Sequence, residues 1–284
     1  MKLVVGGNAG IKLNLYLDSR AMLVIMDGVV IFGVIGKGDC PHIDATGGDG
    51  FCMKKLSSFI LIFALVFPFF LTLNYFVLLA NAPPAIQQAA YSIGKVIQFA
   101  LPILWVGLFC RERFWLRSIN RRGLIEGALF GVAVFATMLA VYFFWLRIPG
   151  GVLAPGSSAY QEILDKIKGL GLDSKGAFIL LGVFYAIIHS GLEQYYWRWF
   201  VFRKLSCSAV VASLGFTAHH VILLGTFFGY DSPYCWLASF GVFIGGWYWC
   251  WLYRRTDSIW GAWIGHGIVD AAIFTIGFLI MTSI

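Results

Sequence analysis

The sequence predicts an all-α fold: a polytopic bundle of about seven transmembrane helices, or eight if a marginal N-terminal stretch also spans. Three observations lead there. Of 284 residues, 60% are hydrophobic and only 12% charged, about half the charged share of a soluble domain. That leaves too few polar residues to cover the apolar surface in water, which excludes a soluble globular protein. The apolar residues fall into seven segments, near 57–81, 92–110, 123–146, 177–202, 206–228, 233–253 and 258–281, each close to the roughly 20 residues that cross a bilayer as a helix. Charge then alternates between the connections, as it does when successive loops lie on opposite sides of a membrane.

Taken in order, residues 1–52 are Gly-rich and weakly patterned, and their apolar stretch at 21–36 is short and interrupted by Asp27. They read as an N-terminal extension, arising from a start site placed too early, or as the marginal eighth span. "MKKLSSFILIFALVF" begins the transmembrane domain, 53–284. It opens like a signal peptide but has no small-residue cleavage site, so it reads as an anchor. Lys54 and Lys55 precede the first span, and "RERFWLRSINRR" (111–122) follows the second. Arg203 and Lys204 follow the fourth, and Arg254 and Arg255 the sixth. "NAPPAIQQ" (82–89), 147–176 and "YDSPY" (230–234) carry no such excess. All basic loops therefore share one side, expected to be the cytoplasm, with the N-terminus in and the C-terminus out. The net charge of +7 is thereby explained without a nucleic-acid partner. Within 147–176, Ile163, Ile167 and Leu170 recur at helical spacing, which fits either a helix lying on the outer interface or a solvated loop with a helical turn. The six cysteines (40, 52, 110, 207, 235 and 250) form no CxxC pair and read as inert buried thiols, and the 17% aromatic content, with 11 Trp, suits interfacial belts.

Ionisable residues in lipid are costly and mark function. Span four holds His189, Glu193 and Arg198; span five His219 and His220; span seven His266 and Asp270. Lys95 and Glu126 are read as lying near span ends, where they can reach the interface. His189/Glu193, Gln194/Arg198, Phe216/His220 and His266/Asp270 are each four apart and share helix faces. A Gln194–Arg198 bond would brace the fourth span and leave Glu193, about 140° from Arg198, aimed elsewhere. At about 1.5 Å per residue, Glu193 lies roughly 15 Å from the cytoplasmic end of its helix, His266 about 13 Å and His220 about 18–24 Å. The three could converge on one cavity.

"EQYYWR" (193–198), "FTAHH" (216–220) and "HGIVD" (266–270) resemble, in order and on separate spans, the three motifs of the CPBP intramembrane proteases, relatives of the Rce1-type CAAX prenyl proteases and the Abi proteins. The resemblance covers roughly 177–275. It implies a glutamic endopeptidase in which Glu193 activates a water, His220 holds or polarises it, and His266 with residue 270 stabilises the oxyanion. Arg198 is then structural and Phe216 packs beside the site. Two positions depart from the family pattern. Gln194 stands where a second Glu is usual, and Asp270 where Asn is frequent; an ionised Asp270 cannot donate to an oxyanion and would instead orient His266 or keep it charged.

The expected function is thus hydrolysis of a peptide bond in a membrane-anchored or lipid-modified substrate by a multi-pass protein of the bacterial inner membrane. No cofactor is required on that reading. Zinc is the alternative, held by Glu193, His220 and His266 with His189 as a further donor, although no HExxH is present. A catalytically weak scaffold or immunity protein that binds membrane tails is a second alternative, and a proton-coupled transporter a third. Against the transporter stand the absence of a visible repeat and the scarcity of polar groups in spans one to three. Taken singly, Glu193 and Arg198 would read as a structural ion pair, His219 as a packing residue and His189 as a helix-to-helix bond. Oligomeric state is not legible.

Overall fold

A computed structural model describes the backbone of residues 2–6, 12–18, 21–26, 29–34, 49–109, 117–169, 171–172 and 174–282, and side chains within these from residue 58 onward. Among the described residues from 49 onward there are eight helices: α1 (Asp49–Leu73, continued by the π-helical turn Asn74–Leu78), α2 (Pro84–Leu108), α3 (Arg121–Leu146), α4 (Ser158–Gly169), α5 (Lys175–Lys204), α6 (Ala209–Phe228), α7 (Pro233–Thr256) and α8 (Trp260–Thr282). Seven of them, all but α4, are long and apolar enough to cross a membrane. The helical bundle and its seven spans agree with the sequence reading.

Ahead of the bundle, the backbone forms an antiparallel meander of β1 (Lys2–Gly6), β2 (Lys12–Asp18), β3 (Ala21–Met26) and β4 (Val29–Val34). The apolar stretch at 21–36 therefore does not make an eighth span. Its two halves pair with each other, Met26 opposite Val29, and the intervening Asp27–Gly28 is a strong short-hairpin signal. In β2, Leu13, Leu15 and Leu17 alternate with polar Lys12, Asn14 and Asp18, a period-two pattern that a search for spans passes over.

Helix starts are fixed by local chemistry. Asn120 Oδ1 accepts from Gly123 N at 2.9 Å to cap α3. Ser174, Ser208 and Ser232 cap α5, α6 and α7 in the same way. The Pro83–Pro84 pair starts α2, with Pro84 at the first helical position, where its missing N–H costs nothing. The second span thus begins about eight residues earlier than its apolar pattern predicts.

The closest helix pair is α3 with α8. Gly123, Gly127 and Gly131 lie one turn apart on α3 and face Gly261 and Gly265 on α8, so that a Cβ at Gly265 would sit 2.7 Å from the Gly127 carbonyl oxygen. Small residues let backbones touch where lipid supplies no hydrophobic drive for helices to associate. Hydrogen bonds secure the same corner: Tyr248 OH donates to Glu126 O at 3.0 Å, Ser258 Oγ to Ser118 O at 3.1 Å and Trp260 Nε1 to Arg117 O at 3.1 Å. Helix α6 packs on α7 and α1, which brings α5, α6 and α8 around one buried centre.

The segment 147–176 does contain a helix. It buries Ala159, Tyr160, Leu164 and Ile167 and is tied to α8 by Tyr160 OH donating to Ile280 O at 3.1 Å. Ile167 of the expected stripe is among the buried residues and Ile163 packs against the same cluster, whereas Leu170 lies outside the described residues. Cys207, Cys235 and Cys250 are free and buried, as expected; the other three cysteines lie outside the described side chains.

Candidate functional site

Glu193 sits on a short α-helical stretch of α5 between two π-helical ones, Tyr185–His189 and Tyr195–Lys204. A π turn closes i to i+5 bonds and recurs at functional sites. The wider turn explains one failure of the sequence reading. Four-residue spacing no longer defines a shared face beyond Tyr195, and the expected Gln194–Arg198 bond is not made. Instead, the Gln194 Nε2 amide crosses to His266 Nδ1 at 2.9 Å, and Arg198 Nη2 donates to Gly246 O of α7 at 3.1 Å. The Arg198 guanidinium, almost fully buried, lies 4.6 Å from the Phe216 ring centroid and 5.1 Å from that of Trp249. Two aromatic faces thus stand where the Gln194 amide was expected.

Three helices deliver histidines to Glu193, whose side chain is 2% exposed. His189 Nε2 lies 3.4 Å from Oε1, His219 Nε2 3.4 Å from the same oxygen, and His266 Nε2 3.9 Å from Oε2. His220 Nδ1 is engaged with Phe216 O at 2.8 Å, so its N–H is spent on the backbone and Nε2 is left as an acceptor. Ligand atoms of Glu193, His219 and His220 lie within 4.8 Å of one another. Phe216 is the hub of the cluster, its ring centroid 4.6 Å from that of His220, 5.5 Å from His219 and 5.8 Å from His266.

With the Gln194 N–H donating to Nδ1, neutral His266 carries its proton on Nε2. That nitrogen faces two carboxylates, 3.5 Å from Asp270 Oδ1 and 3.9 Å from Glu193 Oε2. Both separations exceed good hydrogen-bond length, so the N–H remains available to an oxygen placed between them. Asp270 Oδ2 has no hydrogen-bond partner among the described residues.

The structure gathers Glu193, His220, His266, Asp270, Gln194, Arg198 and Phe216 in one region, and it adds residues the sequence reading set aside. His219 was taken for a packing residue; it does stack on Trp197, rings 5.9 Å apart and 2° from parallel, yet it also faces Glu193. His189 turns to Glu193 rather than to another helix. Lys95 does not reach an interface: half-buried, its ammonium lies over the rings of Tyr91 and Phe99, 5.4 Å from each centroid. Gln98, one turn on, is fully buried, so span two does carry polar groups. The signal for Lys95 was the Pro-Pro helix start, which places it roughly 17 Å along α2 instead of at its mouth.

A family model described as type II CAAX prenyl endopeptidase, Rce1-like, matches residues 175–272. Residues 175–272 are thus similar to that family. The match covers about a third of the chain and contains the three motifs of α5, α6 and α8, with every histidine of the cluster. No curated protein and no solved structure matches the chain. The seven membrane-capable helices make it an integral membrane protein with an Rce1-like segment.

Proposed function

We propose that this chain is an intramembrane endopeptidase that hydrolyses a peptide bond in a membrane-anchored or lipid-modified substrate, using a water activated by Glu193. The carrying observation is a deeply buried carboxylate facing histidines from α5, α6 and α8. Glu193 takes a proton from a water whose second hydrogen is accepted by His220 Nε2. The resulting hydroxide adds to the scissile carbonyl carbon. The carbonyl oxygen, now an oxyanion, lies against His266 Nε2–H, a donor preset by Gln194. Glu193 then returns its proton to the departing amine nitrogen as the C–N bond breaks. Asp270 orients His266, and Arg198 with Phe216 and Trp249 forms the floor beneath it. The basic loops support a site reached from the cytoplasmic half of a bacterial inner membrane.

A zinc-dependent reading has one observation in its favour. Glu193, His219 and His220 fit a catalytic zinc in donor type and spacing, and His220 has the outward backbone bond usual for a histidine ligand. On this reading His219 replaces His266 in the expected ligand set. A bound zinc would supply Lewis-acid activation of water.

The test is cleavage of tagged membrane-peptide substrates by purified wild type and Glu193→Gln, with and without a chelator. The expected outcome is a fall of about a thousandfold or more in kcat for Glu193→Gln, with no chelator effect on wild type. Loss of activity in chelator, restored by zinc, would transfer the chemistry to the metal. Binding of tails without cleavage by either protein would favour a scaffold.

A further inference from the structure

We propose that Lys95 anchors the free C-terminal carboxylate of the peptide tail cut at Glu193, so that the protein measures its cleavage point from the substrate's end. This inference rests on the proteolytic reading above.

Lys95 is a cation in the middle of a membrane span, where ionisable residues mark function. Its ammonium is held by two aromatic faces, Tyr91 and Phe99; Glu193 attracts it through space, but no carboxylate among the described residues lies within ion-pair distance of it. Aromatic rings steady a cation without neutralising it, which leaves Lys95 ready for an anion brought by a ligand. The residue also faces the site. The Phe99 ring meets the His189 ring edge-on at 6.4 Å, and His189 Nε2 is 3.4 Å from Glu193 Oε1. Tyr75 packs on Tyr91 at 4.6 Å and Tyr185 on His189 at 4.6 Å, extending one aromatic wall from Lys95 to the carboxylate.

Length then selects the anion. The path through Phe99 and His189 limits the separation of the Lys95 ammonium and Glu193 to at most about 17 Å, which an extended peptide spans in about five residues or fewer. A carboxylate at the end of a short tail reaches Lys95 while the scissile bond sits at Glu193. A lipid phosphate does not, because Lys95 lies roughly 17 Å from the start of its helix, far below the headgroups.

The experiment uses the full chain in lipid nanodiscs and a farnesylated peptide with a free C-terminal carboxylate, beside the same peptide as its C-terminal amide. Wild type should prefer the acid, with a KM about ten- to a hundredfold lower than for the amide. Lys95→Met should raise the KM for the acid to that for the amide without changing kcat, and Lys95→Arg should keep the preference. Equal handling of acid and amide by wild type would overturn the anchor while leaving proteolysis standing. So would an equal loss of kcat for both peptides in Lys95→Met, which would make Lys95 a counter-charge for Glu193. If wild type cuts neither peptide, the proteolytic reading fails and binding still decides the anchor. Acid preference in Glu193→Gln protein, lost when Lys95→Met is added, upholds it; equal binding of acid and amide overturns it.

Discussion

Gln194 is the single residue whose role changed most between sequence and structure. A carboxylate there would accept a proton from His266 Nδ1, whereas the amide donates to that nitrogen and so places the imidazole proton on Nε2, toward the reacting centre. Gln194→Glu is therefore expected to move the His266 proton to Nδ1, visible as an exchange of the two ring ¹⁵N shifts, and to lower kcat about a hundred- to a thousandfold, the range of losing one oxyanion donor. Unchanged ¹⁵N shifts in the variant would remove Gln194 from this role. Arg198 shows the limit of reading partners from type. Its Nε and Nη1 have no hydrogen-bond partner among the described residues, and its stability derives from ring faces and one carbonyl. Neither is visible in a four-residue spacing.

Among the elements, α5 and the α3–α8 pair determine the geometry. Alternation of π and α winding in α5 turns Glu193 and His189 onto the same centre and buries every residue from Tyr195 to Phe202, so this segment has no lipid-facing stripe. The α3–α8 seam works through absence of side chains. A Cβ at Gly127 would collide with the Gly261 carbonyl, backbone that cannot swing aside. Gly127→Leu should destabilise the bundle by about 1–3 kcal/mol or more, read as a lower midpoint of thermal unfolding in detergent. It should also reduce activity by shifting His266, which directly follows Gly265 of the seam on α8. A midpoint equal to wild type would show that the two backbones are not in contact.

At the scale of the molecule, the connection between α5 and α6 on the basic side is packed into the bundle. Cys207, in the connection between α5 and α6, is 4% exposed, and burial pushes its thiol up to about 12. Below that value the thiol is protonated and unreactive. Maleimide labelling of folded protein at Cys207 is therefore expected to be slow at pH 7.5 and to keep rising about tenfold per pH unit through pH 10, instead of levelling near 9 as an exposed cysteine does. Fast labelling at neutral pH would mean that this end of the bundle opens.

The number of spans, the three described buried thiols and the three motif helices were legible in the sequence, because each depends on composition and on spacing along one chain. Lipid requires about 20 apolar residues per crossing, and a buried carboxylate or imidazole stands out against that background. Which groups meet was decided only in three dimensions. Gln194 and His266 are 72 positions apart, Arg198 and Gly246 48, and no local rule links them. Even Lys95 and His219, each visible as a polar residue in a span, took their meaning from neighbours on other helices. Helical periodicity assigns a direction around one axis, but the partner waiting there is set by how the axes pack.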